Sequence, residues 1–375
     1  MPKCIKEEAM LKIGMVGVGD ISGIYLKNLT QLYKEVELVA LCDLVKEKAE
    51  KAKEEYNIPK IYDTMYELFA DKEIDIVLNL TRPYEHYQVS LEALKAGKHV
   101  YSEKPLAATY AEGLELVRIA EEKQLYLGGA PDTFLGAGIQ TCRKLIDTGF
   151  IGKPIGAAAF MICRGHESWH PDPEFYYKHG GGPMFDMGPY YLTALTNLLG
   201  GIRSVTGLAR TSFTERTITS KAKAGEKIQV EVPTYTTGIL EFENGAIGTL
   251  FTTFDVHYKG QARLEIYGSE GTLLVPDPNT FGGPISLLRQ EEGDYKEIPL
   301  LFDYAQNSRG LGLADMAKAI ETGRAPRAGY HQTLHVLEAM EAFETSSKSR
   351  SAVDLESVFS RENPMVAHPV TGILQ

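Results

Sequence analysis

The sequence predicts two domains: an α/β domain with a doubly wound parallel sheet over residues 11–130, then an α+β domain with a mostly antiparallel β-sheet over residues 131–375. Three observations predict it. Apolar runs alternate with amphipathic helical spacing through the first third of the chain. A glycine-rich turn, Gly17-Val18-Gly19-Asp20-Ile21-Ser22-Gly23, follows the first apolar run. Residues 202–299 are mostly strand-like runs separated by turns. Strand–helix alternation implies parallel strands with helices on both faces. A chain of 375 residues also exceeds what one core usually serves.

The elements follow in order. Residues 11–17 read as a strand, and 21–33 as a helix with apolar positions Ile21, Ile24, Tyr25, Leu29 and Leu32. Residues 36–42 form a second strand and 45–56 a charged helix, closed by a turn at 57–59. Strands at 74–80, 99–102 and 125–129 alternate with helices at 85–96 and 109–123. Beyond Pro131 the pattern gives a helix at 135–148 and a strand at 155–164. Strands at 235–242, 246–254, 263–267 and 272–275 are separated by turns such as Glu243-Asn244-Gly245. Helices return at 311–322 and 330–345. Residues 1–10 read as a frayed extension before the first strand.

Composition narrows the class. With 43% hydrophobic and 24% charged residues, it is that of a soluble globular protein. No apolar run reaches membrane-spanning length, and residues 1–10 have no apolar signal core. The net charge of −11 comes from interspersed signs, which favours solubility and offers nucleic acid no basic face. Cys4, Cys42, Cys142 and Cys163 lie far apart without metal-binding spacing, as expected of reduced thiols in a cytoplasmic protein.

The glycine turn reads as G-x-G-x-x-S within a strand–turn–helix unit, the context a dinucleotide site requires. Gly17 makes the tight turn, and Gly19 lets the backbone approach a pyrophosphate. Ser22 is small enough for helix–strand packing. Asp20 and Ile21 lead into the helix N-terminus, whose free N–H groups suit phosphate. Asp43, at the end of the second strand, can accept both adenine-ribose hydroxyls and would repel a 2′-phosphate, which favours NAD over NADP. It can also cap the next helix. Asn79, Thr81 and Pro83, at the end of the next predicted strand, fall at the ligand crevice. His86 follows as either a cofactor neighbour or a packing histidine.

Ser102-Glu103-Lys104-Pro105 places a carboxylate and an ammonium at the mouth of the sheet. The second domain contributes Gly180-Gly181-Gly182-Pro183-Met184-Phe185-Asp186-Met187-Gly188-Pro189-Tyr190. If Asp186 begins a helix, Tyr190 lies one turn on, on the same face. Together these segments resemble the Gfo/Idh/MocA oxidoreductases, the family of glucose–fructose oxidoreductase and inositol 2-dehydrogenase, over nearly the whole chain. The resemblance implies a Rossmann domain plus an α+β domain with an open, mostly antiparallel β-sheet that commonly mediates dimers or tetramers. It implies that Lys104 is the catalytic lysine and Asp186 the family's aspartate. Tyr190 falls where many members have histidine and some have tyrosine.

Unperturbed tyrosine and lysine titrate too high for a base at neutral pH. A neighbouring cation favours phenolate, so Lys104 is expected to lower the Tyr190 pKa. The two form the expected acid/base unit, with the proton carrier left open between them. Trp169, the only tryptophan, lies in the run Arg164-Gly165-His166-Glu167-Ser168-Trp169-His170 and suits the apolar face of a sugar. His170, His179 and His257 can bond sugar hydroxyls. Asp132, where the domains should meet, is a candidate cofactor or substrate contact. His166, His170, His179 and Asp186 match no usual ligand motif, so no metal is expected. The expected activity is NAD-dependent oxidation of a secondary alcohol of a sugar, glycoside or cyclic polyol. Two alternatives stand beside it: a redox-neutral sugar oxidoreductase or glycoside-cleaving enzyme that keeps its nucleotide, and a non-catalytic NAD sensor.

Overall fold

The computed structural model describes residues 10–260 and 263–367, so the predicted extension, apart from Met10, lies outside the described residues. The first domain runs β1 (Leu11–Val16), α1 (Ser22–Gln31), β2 (Val36–Cys42), α2 (Lys46–Tyr56), β3 (Lys60–Tyr62), α3 (Met65–Ala70), β4 (Ile76–Asn79), α4 (His86–Lys95), β5 (His99–Ser102), α5 (Tyr110–Glu122) and β6 (Leu127–Gly129). Its six strands are parallel, in the order β3-β2-β1-β4-β5-β6. The order reverses between β1 and β4, which opens a ligand crevice at the carboxyl ends of the strands. Every residue of β4 is buried, as a strand covered on both faces requires.

β3 and α3 are absent from the sequence reading. β3 has only three half-buried residues, too few to display a period. α3 has six residues, yet Thr64 and Glu67 form a reciprocal capping box at its start, a signal the sequence does carry.

The second domain runs α6 (Ala137–Asp147), β7 (Pro154–Ile162), α7 (Gly182–Leu199), β8 (Ile202–Arg210), β9 (Glu215–Thr217), β10 (Lys227–Gln229), β11 (Tyr235–Phe242), β12 (Ile247–Thr253), β13 (Arg263–Gly268), β14 (Gly271–Val275), β15 (Ile285–Arg289), β16 (Lys296–Ile298), α8 (Leu311–Thr322), α9 (Tyr330–Ser349) and β17 (Val353–Asp354). Nine strands form one sheet in the order β16-β15-β14-β13-β7-β12-β11-β8-β17. It is antiparallel except for the central β7–β12 pair, which is parallel. β9 and β10 form a separate ribbon. One sheet face buries Val205, Leu240, Phe242 and Leu250 beneath α7 and α9. The other leaves Leu208, Ile239 and Ile247 exposed, as the period of two dictates.

The two domains are knitted together. α8 and α9 return to β6, where Gly129 donates its N–H to the Ala328 carbonyl. The Asn28 side-chain amide of α1 donates to the Asn307 and Arg309 carbonyls, so the segment before α8 is held against the first domain. Among the described residues, no helix is long and apolar enough to cross a membrane.

Candidate active site

The glycine turn sits between the ends of β2 and β4. The Gly17 N–H bonds the Cys42 carbonyl at 2.8 Å, and φ at Gly17 is +97°. A Cβ there would stand 2.7 Å from the Leu80 carbonyl, so only glycine fits. Beyond Gly19 a Cβ would meet nothing within 4 Å, which leaves the space a phosphate needs. The Ser22 hydroxyl donates to the Gly19 carbonyl at 2.7 Å. No side chain caps the start of α1; its Ser22 N–H bonds the Gly19 carbonyl at 3.1 Å, which leaves the N–H groups that follow it in the first turn to receive an anion. Asp43 is fixed at the rim: Oδ2 accepts the Val18 N–H at 2.6 Å and Oδ1 the Val45 N–H at 2.7 Å. It therefore braces the glycine turn, and no side chain caps α2. These residues fit a dinucleotide.

Three of the predicted contact residues are buried, with their side-chain polar atoms bonded inside the protein. Asn79 is sealed inside, its amide donating to His86 O and Ser90 Oγ, its carbonyl oxygen accepting from the Thr81 N–H and hydroxyl. It shapes the crevice through Thr81 and does not line it. His86 is the packing histidine of the two readings: its ring nitrogens lie 2.7 Å from Pro105 O and 3.0 Å from Thr81 O. Burial pushes its pKa down, against the pull of those two carbonyls. Asp132 is also enclosed, and Oδ2 accepts the Gly310 and Gly312 N–H groups at the start of α8. Burial raises its pKa to about 6. Pro83 opens a short 3₁₀ turn at the crevice edge. The Asp20 carboxylate is exposed, 3.6 Å from His170 Nε2.

Glu103 and Lys104 follow β5. Glu103 accepts the Tyr25 hydroxyl at 2.8 Å and the Lys104 N–H at 3.0 Å, which sets the turn. Gly182 has φ +84° and packs against the Pro233 carbonyl, so the glycine run turns the chain into α7. α7 begins at Gly182, four residues before Asp186, and still carries Asp186 and Tyr190 one turn apart. Lys104 Nζ donates to Asp186 Oδ1 and to the Asp186 carbonyl, each at 2.7 Å. Its ammonium lies 5.3 Å from the centre of the Tyr190 ring. Burial works against the Lys104 charge, but Asp186, Tyr190 and Glu103 outweigh it and hold its pKa above the usual range. Burial likewise opposes the Asp186 charge, yet Lys104 and His166 keep that carboxyl well below its usual value.

Tyr190 departs from expectation. Lys104 does favour its phenolate, but burial dominates and the pKa goes up. The ammonium lies over the ring, and the hydroxyl instead meets Arg309 Nη2 at 3.5 Å. Arg309 carries no motif, and only the fold brings it to the site.

The loop between β7 and α7 builds the outer wall. Trp169 is 61% exposed and meets His166 and His170 edge-on. His257 accepts from Arg164 at the rim, and His179 is exposed. Arg216 of β9 anchors the loop. It pairs with Glu167 and Asp255 and donates to the Arg164 and Phe254 carbonyls. His166 reaches Asp186 Oδ2 at 3.2 Å, a contact the sequence reading did not assign. Its signal was its place in the run that holds Trp169 and His170. Among the described residues, no cluster of three metal-ligating side chains occurs.

A family model for an oxidoreductase family with an NAD-binding Rossmann fold matches residues 11–128, and a GFO/IDH/MocA C-terminal domain model matches residues 139–274. The chain belongs to the Gfo/Idh/MocA oxidoreductase family. It is 22% identical to myo-inositol 2-dehydrogenase of Thermotoga maritima, over 93% of this chain and 99% of that protein. It is 28% identical to the NAD-dependent scyllo-inositol 2-dehydrogenase of Bacillus subtilis, over 85% of this chain and 89% of that protein. An NAD-binding oxidoreductase from Klebsiella pneumoniae superposes with a TM-score of 0.78 at 24% identity, covering 92% of this chain and 99% of that one. Levoglucosan dehydrogenase with NADH and L-sorbose superposes with a TM-score of 0.80 at 19% identity, covering 92% and 99%. These two likenesses establish the fold.

Proposed function

We propose that this protein is an NAD-dependent dehydrogenase that oxidises a secondary alcohol of a sugar, glycoside or cyclic polyol. The Lys104–Asp186 ion pair at the mouth of the nucleotide crevice, beside buried Tyr190, carries this reading. The inositol dehydrogenases to which the chain is similar support the substrate class. Bound NAD supplies the hydride acceptor. Lys104 places a fixed positive charge where the substrate oxygen becomes negative. Asp186 holds that charge in place. Lys104 and Tyr190 both stand protonated near neutrality, ready to donate to a carbonyl oxygen in the reducing direction. Trp169 offers a flat apolar surface to a sugar face.

Asp43 supports NAD over NADP, because it would repel a 2′-phosphate. The test is a panel of sugars, inositols and glycosides, with NAD and NADP in parallel, followed by absorbance of the reduced nicotinamide. Turnover with NAD is expected to exceed that with NADP by about tenfold, and Asp43→Ala to narrow the ratio. A panel with no turnover, by protein that binds NAD, would sink the reading and favour an NAD sensor.

One observation favours a second reading, an enzyme that keeps its nucleotide through each turnover. The contacts of His170 with Asp20 at 3.6 Å and of Asp172 with Arg82 at 3.4 Å lay the second-domain loop across the crevice. Nucleotide released only on denaturation would be its mark.

The exposed sheet face supports self-association. Leu208, Ile239, Ile247 and Phe251 line it, with no covering element among the described residues. An apolar patch of this kind marks an interaction site. Ile239→Lys is expected to shift a dimer or tetramer toward monomer in light scattering. An unchanged mass would remove this face from the assembly.

A further inference from the structure

The Tyr190 hydroxyl is bonded on one side only. Arg309 Nη2 lies 3.5 Å from its oxygen, and among the described residues that hydroxyl makes no other hydrogen bond. A guanidinium carries donors and no acceptor, so the phenol oxygen accepts here and its own O–H stays unspent. Lys104 is in the same condition. Its ammonium has three N–H groups. It gives two of them to Asp186, at Oδ1 and at the carbonyl, each at 2.7 Å. That ammonium lies 5.3 Å from the Tyr190 ring centre, so the two unspent donors are neighbours at the crevice.

The Arg309 guanidinium is held at several points. Nη2 donates to Asn279 Oδ1 at 2.7 Å, and Nη1 to Asn307 Oδ1 at 2.9 Å. Asn279 lies between β14 and β15, and Asn307 just before α8. Both acceptors are neutral amides. The guanidinium carbon lies 5.9 Å from the Phe281 ring centre. Behind it the main chain is tied to the first domain. The Arg309 carbonyl accepts the Asn28 amide at 2.8 Å, and the Gly310 N–H donates to Asp132 Oδ2 at 2.8 Å. Burial opposes the Arg309 charge, but Tyr190, Asp132 and Glu103 outweigh it and keep the group cationic.

We propose that Arg309 is a positioning residue for Tyr190: by donating to the phenol oxygen it turns the Tyr190 O–H into the crevice, as a donor to the oxygen on the reacting carbon. This rests on the dehydrogenase reading above. A hydroxyl rotates about its C–O bond, and its hydrogen settles where an acceptor stands. Toward Arg309 the phenol meets an N–H, so the hydrogen turns the other way. An oxygen that accepts one hydrogen bond also becomes a stronger donor through its own O–H. The substrate oxygen then receives two donors, the Tyr190 O–H and the unspent Lys104 N–H. Both bonds strengthen as negative charge gathers on that oxygen. Arg309 gives up no proton and acts only through Tyr190.

Two measurements test this. The first is a double-mutant cycle on kcat and KM for oxidation. Arg309→Met should lower kcat about tenfold with KM little changed. In Tyr190→Phe, which has no hydroxyl to orient, the same substitution should change kcat less than about twofold. An equal loss in both backgrounds overturns the proposal, because Arg309 would then act without Tyr190. Asn279→Ala loosens Nη2 and keeps the charge. It should give a smaller loss that also vanishes in Tyr190→Phe, and it carries the cycle by itself if Arg309→Met does not fold. The second measurement needs neither substrate nor nucleotide. The tyrosine Cζ atoms of the full chain are isotopically labelled, and the Tyr190 resonance is assigned by its absence in Tyr190→Phe. Arg309→Met should shift that resonance at neutral pH, because the donor at the phenol oxygen is gone. An unmoved resonance overturns the contact. A panel without turnover counts against the dehydrogenase reading, whereas equal losses or an unmoved Tyr190 resonance count against this one.

Discussion

Lys104→Met is expected to cut NADH formation about a thousandfold while NAD still binds. Methionine keeps most of the buried stem and removes only the ammonium that bonds Asp186 and lies over Tyr190. What is lost is the positive charge that meets the developing oxygen charge, a contribution made mainly in the transition state. The glycine turn and Asp43 are untouched, so nucleotide affinity measured by fluorescence should hold. Turnover unchanged in a folded variant would remove Lys104 from the mechanism.

The same variant carries a pH signature whose sign is fixed. In wild type the Asp186 pKa is depressed on folding, so its contribution to stability is present above its unfolded pKa. That contribution is lost only as pH falls through the depressed folded value. The Lys104 pKa is raised, so its contribution is present below its unfolded pKa and lost as pH rises through the folded value. The pair is therefore intact throughout the neutral range. In Lys104→Met, burial is left to raise the Asp186 pKa with only His166 opposing it. The gap in Tm between variant and wild type should narrow as pH is lowered from neutral. A gap that widens would mean that Asp186 does not depend on Lys104.

Local periodicity made much of this fold legible. The β2 and β5 bounds match the sequence reading, because apolar runs closed by turn residues are local signals. The Asp186–Tyr190 spacing was legible for the same reason: one helical turn is a property of five consecutive residues. The burial of three candidate site residues was not legible, for one physical reason. Asn79, His86 and Asp132 are polar residues at strand ends, where a ligand is expected, and each spends its polar atoms inside the protein. Sequence carries residue type but not whether a polar atom is already bonded. Tyr190 fails in a related way. Its cationic neighbour was visible in the motifs, whereas the burial that outweighs it comes only from the packed domains. His166 and Arg216 meet the site through contacts between segments distant in sequence, which no spacing rule describes.

Arg216→Met should lower the unfolding midpoint by about 10 °C, the equivalent of roughly 3–5 kcal/mol for breaking a buried ion pair in a domain of this size. Arg216 is buried and satisfies two carboxylates and two carbonyls at once. Its loss leaves Glu167 and Asp255 as buried charges, although Thr234 still bonds Asp255. The cost lies mostly in those stranded charges and less in any net worth of the pair. Adding Glu167→Gln and Asp255→Asn to the same chain should therefore recover much of the stability. It should not recover activity, because the Arg164 and Phe254 carbonyls that flank His166 still lack their donor. A triple variant that regained both would show that the clamp serves stability alone. Recovery of stability without turnover would tie the β9–β10 ribbon to the placement of His166. A melting midpoint unmoved by Arg216→Met would mean that the buried charge cluster contributes nothing to the fold.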